Sequence, residues 1–333
     1  MRQAGRYQPE YRAIRQKHSM LEVCKTPELA ARVTMLPVEQ FEVDAAILFA
    51  DLLLPLEPMG HKFDFIEGDG PKIFHPIRDV EDIHRLQPVD PQEGLGYVLE
   101  AIRLVRKELD GRVPLIGFGG APFTLGSYLL EGGKSTGFVK TKKLMYGETA
   151  AWHELAGKLA DVVAAFLVAQ VEAGAQAIQL FDSWVGQLSP ADYREYVLPH
   201  NAKILAEVRK TGVPVIHFGT GNPQLLPLQR EAGADVVGVD WRIGLDDAWR
   251  ILGDSVAVQG NLDPTTLFAP PDVLVRKIDD VLARAGGRVG HIFNLGHGIL
   301  PGTPVDNVRL AIETVHTRTA REQPSVAVAA ETV

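Results

Sequence analysis

The chain has 333 residues, 46% hydrophobic and 23% charged, with 32 glycines and 22 prolines in no periodic arrangement, which excludes collagenous and wholly disordered classes. Its net charge of −8 hides a basic segment, residues 1–17 at +4, against an acidic remainder at −12; that split argues against a general nucleic-acid binder and suits capture of an anionic small molecule. The single cysteine, Cys24, leaves no internal disulfide and fits a reducing cytoplasmic setting, and the longest apolar stretch, 45–56, is broken by Asp51 and Pro55 and is too short to cross a membrane.

The basic segment comes first. A disordered arm or a transit peptide would share its composition, but neither accounts for the Tyr and Gly residues interleaved in MRQAGRYQPEYR. Nearly continuous apolar, β-branched runs then predict strands at 44–50, 113–118, 175–181, 213–218, 235–240, 256–260 and 290–295. Helix-period segments lie between them at 94–109, 151–173, 190–210, 223–232 and 271–285. Alternating strand and helix with no linker predicts one domain over 1–320, an α/β barrel of the TIM type. The tail, 321–333, carries a Pro and no helical period and is expected to be disordered. An open doubly wound sheet is the alternative. It would want a Gly-rich phosphate loop, and neither GFGGAP at 117–122 nor GTGNPQ at 219–224 supplies the third glycine.

Seven predicted strands are one short of a closed eight-stranded barrel. The sequence therefore predicts a chain whose first strand is truncated at the N-terminus, with Arg2 and Arg6 tethered from one side only and a longer version both more stable and more active.

Polar residues follow the predicted strands directly, where a parallel barrel carries its chemistry. Asp51 ends AILFAD, and a carboxylate there needs donors or a cation to stay ionised, although a turn-capping Asp would read the same way. Ser183 in FDSW could equally be a cap. His297 stands between glycines in NLGHG, with no second ligand at zinc spacing, and Tyr128 could be a core phenol. These residues suggest an anion-binding enzyme without naming a reaction.

Together the segments resemble the uroporphyrinogen decarboxylase family. The likeness runs through MRQAGRYQPEYR at 1–12, LFADLLLP at 48–55, IGFGGAPFTLGSYLLEGG at 116–133, QLFDSWVGQLS at 179–189, VVGVDW at 236–241, QGNLDP at 259–264 and NLGHGILP at 294–301. The resemblance implies a homodimeric barrel that needs no metal and no organic cofactor, acts on uroporphyrinogen, and engages neither nucleic acid nor membrane. It implies that Arg2 and Arg6, with the backbone of Gln3, Ala4 and Gly5, hold substrate carboxylates. Asp51 would face the pyrrole N–H groups, and Tyr128, Ser183 and His297 would contact side-chain carboxylates, with Asp51, Arg2 and His297 closest to the chemistry. A guanidinium is a poor acid near neutral pH, so Arg2 reads as an electrostatic clamp, and His297 or a water could deliver the proton. Two other classes stay open: a barrel that binds a porphyrinogen without turning it over, and a cobalamin-related methyltransferase on the same fold, which would want a zinc site.

Overall fold

The structure, a computed structural model, describes residues 3–320. Nine strands form among these residues: β1 (Ala46–Ile47), β2 (Phe63–Ile66), β3 (Gly70–Ile73), β4 (Leu115–Gly120), β5 (Ala177–Asp182), β6 (Val215–Gly219), β7 (Val236–Gly238), β8 (Ala257–Gln259) and β9 (His291–Ile292). β2 and β3 make a separate antiparallel hairpin. The other seven form one parallel sheet in the order β1-β4-β5-β6-β7-β8-β9, so each new strand joins the edge of the last. That order, with a helical crossover between successive strands, is the topology of a TIM-type barrel.

The sheet curls. Ile47 on β1 packs in one cluster with Phe181 on β5 and Phe218 on β6, two and three strands away, which a flat sheet would forbid. Curling does not close the sheet, because β1 and β9 remain its two edges. Between those edges lies a cavity of about 780 Å³, lined by residues that include Gln3, Ile47, Gln259, His291 and Ile312. The Gln3 amide covers part of the β1 edge, donating to Ala45 O at 2.7 Å and accepting from Ile47 N at 2.9 Å. Outside the seam the helix layer does close. Phe41, which ends the helix Pro27–Phe41, shares a core cluster with Val308 and Ala311 of the helix Val305–Thr319, and His316 pairs with Asp44 at 3.2 Å.

Three helices match their predicted segments closely: Gly96–Leu109, Thr149–Ala173 and Pro271–Ala285. The segment 190–210 instead forms two, Pro190–Tyr196 and Leu198–Arg209, broken at Val197. Pro199 is the reason: its ring lacks an N–H and clashes with the preceding turn, so it fits only the first turn of a new helix. Likewise 223–232 starts as a 3-10 turn, Pro223–Leu225, before the helix Leu226–Glu231.

The long helix is locked to the sheet by a polar tie. Gln170 is fully buried, and its amide donates to Phe118 O and accepts from Phe118 N, both at 2.9 Å, taking the place of a ladder partner on β4. Gly117 makes the approach possible, since a Cβ there would press on Gln170 Oε1. Gly117→Ala should therefore lose about 1–3 kcal/mol of stability by displacing a well-packed buried group. A urea midpoint equal to that of the parent would show that the amide has room to move.

Candidate active site

Because the sheet is parallel, every strand's C-terminal end opens on the same rim. Asp51 reaches that rim from β1. The ladder runs one residue past the strand, with Leu48 N donating to Ile116 O, and the chain then peels away as Phe49 N donates to Thr34 Oγ1 at 2.8 Å. Asp51 is half-buried, and one of its oxygens accepts from Leu53 N at 2.9 Å, closing a tight turn. Its charge adds to burial in pushing the Cys24 thiol up, well away from the thiolate range.

The basic segment lies beside this strand end. Ala4 is buried in a cluster with Tyr11, Val23, Val33 and Leu36, against which Phe49 packs, and the Tyr11 and Phe49 rings sit 5.6 Å apart. That contact brings residues 3–6 next to the Asp51 turn. Arg6 is exposed, while its carbonyl accepts from Arg12 Nη1 at 2.9 Å. Arg2 lies outside the described residues. In this segment Gly5 N donates to Gln8 Oε1 at 3.2 Å, and Gln3 spends its side chain on β1 while its carbonyl accepts from Tyr7 Oη at 2.8 Å.

Tyr128 projects from the helix Pro122–Glu131, which follows β4, and its ring stacks on Trp184 at 4.0 Å. Phe138 meets the same indole edge-on at 5.0 Å. Ser183, half-buried, sits between Asp182 at the end of β5 and Trp184. His297 is exposed after β9, with its ring edge-to-face to Trp241 at 6.1 Å beyond the end of β7. Gly296 allows this: a Cβ there would collide with the backbone at Asp240 and Trp241. Below the rim, Phe118, Phe181 and Phe218 form an edge-to-face row at 5.6 and 6.0 Å, an apolar floor inside the barrel.

The rim thus carries Asp51, Tyr128, Ser183 and His297 on four different strand ends, with the basic segment alongside. None of the four lines the cavity at the seam. The sequence reading missed the two indoles and the phenylalanine floor. Period-two alternation could have found the floor, since residues two apart on β5 face the same way.

Behind the rim is a buried polar group. Asp182 is fully buried, and loss of water pushes its carboxyl up to about 6 despite hydrogen bonds from Asn201 and Thr124. Burial holds His217 and His200 neutral, pushed down to about 4. The two effects oppose each other in pH. Between about pH 4 and 6.5 the folded histidines bind fewer protons than the unfolded ones, so stability rises with pH; between about pH 4 and 6 Asp182 binds more, so stability falls. Two histidines against one carboxyl leave a net gain of about 1 kcal/mol per pH unit. Urea midpoints at pH 4.5 and 6.5 should differ in that sense, and a lower midpoint at pH 6.5 would mean that the histidines are charged in the fold.

No group of three or more His, Cys, Asp or Glu side chains among the described residues could hold a metal ion, and no helix among them is long and apolar enough to cross a membrane. The family model described as uroporphyrinogen decarboxylase matches residues 1–318. A uroporphyrinogen decarboxylase of Sorangium cellulosum is 60% identical over 316 residues, covering 95% of this chain and 90% of the relative. One of Carboxydothermus hydrogenoformans is 55% identical with the same coverage. The chain spans about nine-tenths of these relatives' own length. Among solved structures, a methyltransferase from Methanosarcina mazei superposes with a TM-score of 0.78 at 22% identity, covering 91% of this chain and 88% of that one. A B12-independent methionine synthase from Shewanella superposes at 0.57 with 11% identity, over 88% of each chain. At such identities the structural likeness speaks for the fold alone.

Proposed function

The chain belongs to the uroporphyrinogen decarboxylase family, and from that membership we propose how the residues at the barrel mouth divide the work. It is a carboxy-lyase of tetrapyrrole biosynthesis: it removes the four acetate carboxyl groups of uroporphyrinogen as carbon dioxide and leaves coproporphyrinogen. The substrate brings eight carboxylates on its periphery and four N–H groups at its centre. It therefore needs a cationic and hydrogen-bonding rim around one central acceptor.

In our reading Asp51 is that acceptor. Loss of carbon dioxide from an acetate on a pyrrole leaves an electron pair that needs a sink, and protonating a ring carbon creates one as a cationic, iminium-like ring. A carboxylate on the pyrrole N–H stabilises the growing positive charge, as an oxyanion hole does with the sign reversed. Arg2 and Arg6 hold carboxylates as electrostatic clamps, and Tyr128, Ser183 and His297 take others around the macrocycle. His297 or a water delivers the proton. The pyrrole supplies its own electron sink, so the proposal needs no metal and no organic cofactor. The observation that carries this reading is the meeting of Asp51, Tyr128, Ser183 and His297 on one rim above the phenylalanine floor.

We further propose one domain over 1–320, a homodimer and a cytoplasmic location. The family resemblance supports the homodimer, and the single buried cysteine, Cys24, fits a reducing compartment. Sedimentation tests the oligomeric state. Anaerobic incubation with uroporphyrinogen, followed by oxidation and chromatography, tests the reaction: porphyrins with four carboxylates are expected, and bound porphyrinogen with all eight intact would favour a barrel that binds without turnover.

A further inference from the structure

Asp182 is a buried carboxylate for which the mechanism above has no direct use. It closes β5, pairs across to Gly219 of β6, and points away from the phenylalanine floor into the helix layer. Its Oδ1 accepts from Thr124 Oγ1 at 2.8 Å and its Oδ2 from Asn201 Nδ2 at 3.1 Å. Thr124 Oγ1 in turn accepts from Trp184 N at 3.4 Å. The carboxylate cannot donate, so it commits the threonine proton to itself and turns the hydroxyl lone pairs toward the Trp184 amide.

Two consequences meet at the rim. The stretch Asp182–Ser183–Trp184 is pinned at both ends, by the β5–β6 ladder and by Thr124, which leaves Ser183 little freedom. Thr124 also lies one helical turn before Tyr128, so tying it to Asp182 fixes the phase of that helix, and the Tyr128 ring is then held by its stack on Trp184. We propose that Asp182 is a positioning residue, which through Thr124 and the Trp184 amide sets the aim of Ser183 and Tyr128 toward the substrate. The inference rests on the decarboxylase reading of that rim. An apolar residue would fill the same space at no desolvation cost, and an amide would donate to the Thr124 hydroxyl and leave its sense unfixed.

The other titratable groups facing Asp182 are Tyr193, from the helix Pro190–Tyr196, and His217, on β6. The phenol is pushed up by burial and by the Asp182 charge, and His217 is held neutral, so near pH 6 only Asp182 in this cluster changes charge. Protonation would give it a proton to donate and release Thr124 from its fixed sense.

The test compares Asp182→Asn, Thr124→Val and Thr124→Ser with the parent, reading KM for uroporphyrinogen, affinity for coproporphyrinogen by tryptophan quenching under anaerobic conditions, and melting temperature. Asp182→Asn and Thr124→Val should each raise KM and weaken product binding on the order of tenfold, about one step of affinity, while kcat changes less. Thr124→Ser, which keeps the hydroxyl, should restore both. Parent product affinity should weaken as pH falls through about 6, and that step should be absent from Thr124→Val. If Asp182→Asn does not fold, the Thr124 variants decide alone, since valine replaces the hydroxyl by a methyl group and serine keeps it. Lower melting temperatures with unchanged KM and product affinity would overturn the proposal and leave a purely structural tie. A parent that binds product but releases no carbon dioxide would defeat the decarboxylase reading instead, and the product affinities would still decide the role of Asp182.

Discussion

Asp51→Asn should fold normally and lose most of its turnover, on the order of a hundred- to a thousandfold, the scale of removing one preorganised electrostatic partner. Retention of the fold follows from the turn. Asp51 accepts from Leu53 N, and an asparagine carbonyl makes the same bond, so the backbone after β1 keeps its course. What disappears is the charge. A neutral amide still accepts from a pyrrole N–H in the ground state, but it stabilises a cationic ring far less. The loss should fall on kcat more than on KM, as expected when an interaction strengthens in the transition state. Near-normal turnover in this variant would remove Asp51 from the role assigned to it, and a collapsed melting temperature would mean that its charge holds the fold.

Arg6→Ala should act on binding. The side chain is exposed on the basic segment, and the bond that fixes the local backbone uses the Arg6 carbonyl, which the substitution leaves in place. A charge-assisted contact to a carboxylate contributes about 1.5–3 kcal/mol. Made equally in the bound and transition states, it converts to a KM increase of roughly 10- to 150-fold with kcat little altered. Added salt should narrow the gap between parent and variant, because an exposed ion pair is screened. An unchanged KM with a fallen kcat would place Arg6 in the chemistry.

The parallel sheet was legible because strands covered on both faces are apolar throughout, as AIQLF and VIHF are, and the helices between them carry their own period. The hairpin of β2 and β3 was not, because Asp64 and Lys72 on one face and Pro71 on the other dilute the apolar signal, although Gly68, at positive φ, marks its turn. The break at Val197 could have been read from Pro199 alone. At the site, Asp51, Ser183 and His297 stood out because each follows a strand. The Asp182–Thr124 bond joins residues 58 positions apart, and no local pattern reports a pairing that only the curled sheet brings about. The same holds for the stack of Tyr128 on Trp184, which needs two successive strand ends side by side.

In the proposed mechanism the substrate binds at the rim, while a cavity of about 780 Å³ opens at the seam between β1 and β9. The structure of the complex with coproporphyrinogen, prepared anaerobically, decides between them. The macrocycle is expected over the phenylalanine floor, its pyrrole N–H groups within about 2.7–3.2 Å of the Asp51 carboxylate, and its peripheral carboxylates on Arg6, Tyr128, Ser183 and His297. A macrocycle seated in the seam, or one at the rim with Asp51 out of hydrogen-bond reach, would contradict that mechanism.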